Sequence, residues 1–203
     1  MSALPSPEAV LDFWFADAAR TPEGLAAQNK LWFRGGEAFD RELTEKFLPL
    51  LEALAQGPLA EDWAARGQHG RLAAIIVLDQ MSRNIFRGTA RAFAQDPLAL
   101  QLCREGLELR EDNHLSEAER VFFYLPLEHS EDPADQARSV AMFTAIAEDA
   151  RPGFDGFAKT TLDYAREHAK AIEDFGRFPH RNKILGRAST PAELEWLAEG
   201  GGF

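Results

Sequence analysis

Three stretches of this 203-residue chain carry side chains able to do chemistry. The first, Leu72–Phe93, opens with the unbroken apolar run Leu72–Leu78 and passes into Asp79, then Arg83, Arg87 and Arg91, four residues apart. The second, Tyr124–Asp132, closes an apolar run with Glu128, His129, Ser130 and Glu131. The third, Phe175–Ala192, holds Arg177, His180, Arg181, Asn182, Lys183 and Arg187 and no acid, just as Gln80–Gln95 holds none. The pattern Arg83-Asn84-Ile85 with Arg87-Gly88 is echoed by Arg181-Asn182-Lys183-Ile184 with Gly186-Arg187.

A guanidinium is planar and meets a carboxylate or phosphate through paired hydrogen bonds, so these windows suit an anion site. The candidate ligand-binding set is Asp79, Arg83, Asn84, Arg87, Arg177, His180, Arg181 and Asn182. In it the arginines and His180 supply a positive wall, and the two asparagines orient an anionic small molecule or acidic peptide end. Glu128, His129 and Glu131 face them. A structural arrangement competes with this one: the arginines pair with Asp79, Glu128, Glu131 or helix carbonyls and cement the loops, because a buried guanidinium needs partners.

An enzymatic alternative shares these residues, with His129 or His180 as general base and Glu128 or Glu131 as acid or orienting carboxylate. It requires a histidine within hydrogen-bond reach of a carboxylate beside an open pocket. His129 and Ser130 do not form a nucleophilic dyad, since neighbours on a helix point apart. No H-E-x-x-H spacing or cysteine set occurs, so neither metal nor cofactor is expected. A metal at Glu128-His129 would need a further ligand such as His180 or Asp79. His168 falls on an apolar stripe and reads as a core histidine rather than a ligand. His69 and His114 sit in polar loops.

Composition narrows the partners. A net charge of −11 and a pI near 4.9 disfavour nucleic acid. The longest apolar run has seven residues, too few to cross a bilayer, so no membrane partner is expected. The first basic residue is Arg20, which leaves the amino terminus without the charged start of a secretory signal. The single Cys103 excludes an internal disulfide and suits a buried thiol in a reducing compartment. The expected location is the cytoplasm.

The elements that position these residues are helices. Alanine and leucine total 57 residues against 10 for valine and isoleucine, which predicts an all-α chain in a single domain spanning 1–203. Ser6-Pro7, Thr21-Pro22, Asp96-Pro97 and Thr190-Pro191 each place a capping oxygen before a first-turn proline. Ser116 with Glu119, and Thr190 with Glu193, fit capping boxes. These signals predict about ten helices, near 7–16, 22–34, 37–55, 59–66, 70–82, 97–110, 117–128, 133–149, 154–174 and 191–198. Short connections imply antiparallel neighbours and helical hairpins stacked in an array. A protein-interaction scaffold using the concave face of such an array is a third possible role.

Three motifs together with the opening Val10–Phe15 resemble the domain-of-unknown-function 924 family. They are Asp79–Gly88, DQMSRNIFRG; Tyr124–Glu131, YLPLEHSE; and Gly176–Asn182, GRFPHRN. Met81 departs conservatively from a phenylalanine in that pattern. The resemblance covers nearly the whole chain and implies an all-helical fold similar to tetratricopeptide-repeat proteins. It implies no catalytic residue.

Overall fold

Prolines and short polar side chains set the helix starts, and in the structure they act where the sequence puts them. The structure is a computed structural model and describes residues 3–202. Among these residues there are ten helices and no strand. They are α1 (Pro7–Phe15), α2 (Pro22–Arg34), α3 (Gly36–Leu54), α4 (Pro58–Ala64), α5, α6 (Asp96–Glu108), α7 (Glu117–Glu128), α8 (Pro133–Asp149), α9 (Asp155–Phe175) and α10 (Pro191–Ala198). Helix α5 is composite: an α segment Gln68–Ile75, a π segment Ile76–Met81 and a closing turn Ser82–Ile85 follow one another without a break.

The caps behave as expected at most ends. Ser6 accepts from Ala9 N, Thr21 from Gly24 N, and both capping boxes close. Gly176 takes the left-handed conformation (φ 69°) that ends α9, where a side chain would be strained. Asp96 is the exception. Helix α6 begins at that residue, Gln95 occupies the capping position, and no side chain caps the end. The Asp96 carboxylate is drawn off to two arginines described below. The short 3₁₀ turns Ala90–Phe93, Glu111–His114 and Pro179–Arg181 have no counterpart in the expected helices, nor does the extension of α5 to Ile85.

Helix α5 is the axis of the fold. Every residue from Leu72 to Asp79 is inaccessible to solvent, as an apolar run without a polar face requires. Helices α1, α3, α4, α6 and α7 pack around it. Each fully buried aliphatic side chain there contributes roughly 1.5–3 kcal/mol. Gly106 on α6 permits one of these approaches, since a Cβ there would lie 2.5 Å from both Arg71 Cδ and Phe123 Cζ. At one end Trp14, Trp32 and Phe122 interlock, with the Trp32 and Phe122 ring centroids 4.6 Å apart. Trp32 Nε1 donates to Trp14 O at 2.9 Å and ties α2 to α1. Helices α7, α8 and α9 pack in succession, and the end of α9 forms a satellite cluster with Phe178 and Trp196.

No helix among the described residues is long and apolar enough to cross a membrane. Cys103 is fully buried on α6, and burial pushes its thiol far above the ordinary range.

The first residue of α7 supplies a test of how the layers are joined. The Glu117 carboxylate accepts from Arg151 N at 2.9 Å, Nε at 2.8 Å and Nη2 at 2.7 Å, and Arg151 Nη2 also reaches Ala19 O at 3.0 Å. Burial alone would raise the Glu117 carboxyl, but these bonds outweigh it and hold it near a pKa of about 2. Because the folded value lies below the unfolded one, this stabilisation is complete above about pH 4.5 and is lost as pH falls toward 2. Glu117→Gln is expected to cost about 2 kcal/mol in urea unfolding at pH 7, and the gap from wild type should narrow steadily below pH 4.

Candidate functional site

The site grows from the π segment of α5. Along it Asp79 O accepts from Arg83 Nη1 (2.7 Å) and from the Ser82 hydroxyl (3.2 Å), which also donates to Leu78 O (2.6 Å). Such π segments recur at functional sites. The Asp79 carboxylate is wholly buried, and three groups surround it: His129 Nδ1 at 2.7 Å, Gln80 Nε2 at 2.6 Å and Arg83 Nη1 at 3.1 Å. Burial would raise this carboxyl, but Arg83 and His129 override it and keep it ionised, well below the usual carboxylate range. His129 is driven the other way: burial and then Arg83 lower its pKa, against the opposing pull of Asp79.

A second carboxylate joins the first and third motifs. Asp96 accepts both terminal nitrogens of Arg83, at 2.9 and 3.0 Å, and also Arg181 Nη1 at 3.3 Å. Arg181 is nearly buried and lies between the rings of Phe93 and Phe178, 4.7 and 4.6 Å from their centroids. Its Nε is buried with no hydrogen-bond partner. Burial, and then repulsion from Arg83, pull its pKa down to about 10.

Several of these groups border a cleft of about 790 Å³. Arg83, Asn84, Arg87, Glu128, His129, His168, His180 and Arg181 all line it, so side chains from all three motifs meet there. Arg87 and Asn84 are engaged at the rim: Asp40 Oδ2 accepts from Arg87 Nε at 2.6 Å, and Asp40 Oδ1 accepts from Arg87 Nη2 and Asn84 Nδ2 at 2.9 and 2.8 Å. Trp32, Phe33, Phe93 and Tyr164 supply aromatic wall, and Arg34 and Glu37 are exposed residues of the lining.

On the cleft floor, Glu128 Oε1 lies 3.3 Å from His168 Nδ1, which also hydrogen-bonds Tyr164 O at 2.8 Å. Burial, reinforced by Asp79, raises the Glu128 carboxyl well above its usual range, and burial lowers His168 to about 3 and His180 to about 4.

Four sequence candidates fall elsewhere. Arg177 donates to both Glu193 oxygens, at 2.6 and 2.8 Å, and to Ala188 O. Asn182 is fully buried and bonds Ser189, Glu193 and Arg187. Glu131 accepts two bonds from Arg187 and one from Phe178 N. These three brace the chain around α10 and do not line the cleft, and Asp79 lies behind His129 rather than on the cleft surface. Conversely, Asp40, Asp96, Tyr164 and His168 reach the site without having been assigned to it. His168 had been placed in the core by its stripe, and it is buried, but the same helix face leaves Tyr164 exposed at the cleft.

An all-helical domain with a polar cleft of this kind defines the class of protein, and comparison with known proteins places it further. Residues 10–201 match the family described as bacterial protein of unknown function (DUF924), and the chain belongs to that family. It is similar to the solved structure of a protein of unknown function, ATU0120, from Agrobacterium tumefaciens. That likeness has 36% identity and a TM-score of 0.79, and covers 96% of this chain and 97% of the other. No curated protein matches.

The two aspartates differ in what depends on them. Asp96→Asn leaves the nearly buried Arg181 without a carboxylate and Arg83 with Asp79 alone, so a loss of roughly 2–4 kcal/mol is expected in urea unfolding. Asp40→Asn loosens the exposed Arg87 and should cost only about 0.5–1 kcal/mol. Equal losses would mean that the inner arginines do not rely on Asp96.

Proposed function

We propose that the cleft binds a small molecule through a carboxylate or phosphate group seated on Arg181. The incomplete pairing of that guanidinium carries the reading. Arg83 has two carboxylates and a carbonyl, Arg87 has both oxygens of Asp40, and Arg177 has both oxygens of Glu193. Arg181 has one bond of 3.3 Å to an oxygen already taken by Arg83. An anion entering the cleft would complete its hydrogen bonding with the planar fork that guanidinium offers. Arg34, an exposed residue of the cleft lining, makes no ion pair with a described residue. The aromatic wall suits a ligand that also carries a flat or apolar part.

This narrows the sequence-derived ligand set to Arg181, with Arg83, Asn84, Arg87 and His180 around it. The net charge of −11 argues against nucleic acid, and the sealed Cys103 suits a reducing compartment such as the cytoplasm. A tetratricopeptide-like scaffold role has less support, because guanidinium, imidazole and carboxyl groups line the cleft where a peptide groove would be apolar.

A separate observation favours catalysis in the same cleft. The 2.7 Å bond from His129 to Asp79 fixes one ring nitrogen and orients the imidazole beside an open pocket. In this reading His129 acts at the reacting atoms with Glu128 beside it, and Glu131, held by Arg187, has no part. A screen of ester, amide and phosphoester substrates tests it: turnover lost in a folded His129→Ala variant supports it, and full turnover in that variant removes it.

For the binding reading, titration of inorganic phosphate and small mono- and dicarboxylates by calorimetry is the direct measurement. Arg181→Ala should weaken any ligand bound by the wild type by roughly ten- to hundredfold, the equivalent of about 1.5–3 kcal/mol. Arg91→Ala, an exposed partner of Glu52 outside the cleft, should leave affinity as it was. Equal affinity in the wild type and Arg181→Ala would refute the assignment.

A further inference from the structure

We infer that Glu128, His129 and His168 form a binding site for a divalent first-row transition-metal ion of the Zn²⁺ type. Helix α7 ends with Glu128, and His129 follows as its cap. Helix α9 brings His168 against them from a distant part of the chain. One donor atom from each of the three lies within 4.8 Å of the other two. Tetrahedral Zn²⁺ with bonds near 2.0–2.2 Å holds its donors about 3.3 Å apart, so a shared inward movement of under about 1 Å per side chain would close the site.

Two features point to a ligand rather than to simple packing. His129 is anchored through Nδ1 to Asp79 at 2.7 Å, and His168 is positioned by Tyr164 O, 2.8 Å from its Nδ1, the ring nitrogen that also lies 3.3 Å from Glu128 Oε1. For His129 this is the support that metal-ligating histidines take, an outer carboxylate on one ring nitrogen that leaves the other for the metal. The second feature is Glu128. Its side chain is buried, and Oε2 has no hydrogen-bond partner. Asp79 and Asp96 are paired directly with Arg83 and Arg181, whereas the one ion-pair partner of Glu128 among the described residues is His168. A dication would supply the missing partner.

The donor set indicates the kind of site. Two imidazoles and one carboxylate suit zinc and its first-row neighbours rather than calcium or magnesium, which take oxygen. Three protein donors that line an open cleft leave a coordination position for water or a ligand, as in catalytic rather than structural zinc sites. This inference does not depend on an anion at Arg181.

The test uses full-length protein dialysed against a chelator, then titrated with Zn²⁺ by calorimetry and with Co²⁺ by visible absorption. One ion per chain is expected. In nitrogen-15 spectra of the wild type, Zn²⁺ should shift the ring nitrogens of His129 and His168 and leave those of His69 and His114 in place. The near-isosteric Glu128→Gln should weaken binding about tenfold or more. No saturable binding, shifts confined to other histidines, or a folded Glu128→Gln with wild-type affinity would each overturn the site. The wild-type spectra decide the matter even if that variant fails to fold.

Discussion

A carboxylate in the most solvent-excluded helix of the protein has to be neutralised, and the arrangement of the cleft follows from that. Asp79 continues a run of apolar residues that are all inaccessible. Leaving its charge unpaired there would cost several kcal/mol, a large share of the net stability of a domain this size. Arg83 answers from one turn further along the helix and His129 from the end of α7. Arg83 is itself removed from water and draws in Asp96 from the start of α6, and Asp96 in turn holds Arg181 from the last 3₁₀ turn. One buried charge thus links four segments, and the cleft lies where they meet.

The charge that reads as surplus in the sequence is mostly matched in the fold. Arg151 with Glu117, Arg177 with Glu193 and Arg187 with Glu131 clamp the outer elements to one another. Around the cleft the accounting is closer, because Arg83 and Arg181 share Asp96 and Asp79 is divided between Arg83 and His129. Two groups come out short: the guanidinium of Arg181, with its buried Nε unbonded, and the carboxyl of Glu128, with its buried Oε2 unbonded. They belong to the same cleft and have opposite chemical needs, an anion for one and a cation for the other. A metal ion and an anionic ligand held side by side would satisfy both.

Much of this architecture was legible from the chain. The apolar run Leu72–Leu78 is the buried axis, and the proline and Ser/Thr starts fall within a residue or two of the helices formed. Side chains from all three polar motifs border one cleft. Legibility failed where one side chain had two possible uses. Asp96 stands in good capping position before a proline, yet two arginines outbid the helix end for its oxygens. Arg177 and Asn182 looked equivalent to Arg181 in a basic window, but Glu193, folded back by its own capping box, claims both.

What the sequence determined by itself were the helices, their ends and which of them would be buried, since capping and periodicity act over three or four residues. The arginines consumed by carboxylates and the pairing of His168 with Glu128 were decided by tertiary structure alone. The bonds that decided them join residues as far apart as Asp40 and Asn84, Asp79 and His129, or Asp96 and Arg181. Which carboxylate reaches which cation across such separations depends on how the helices pack, and no local pattern of residues encodes it.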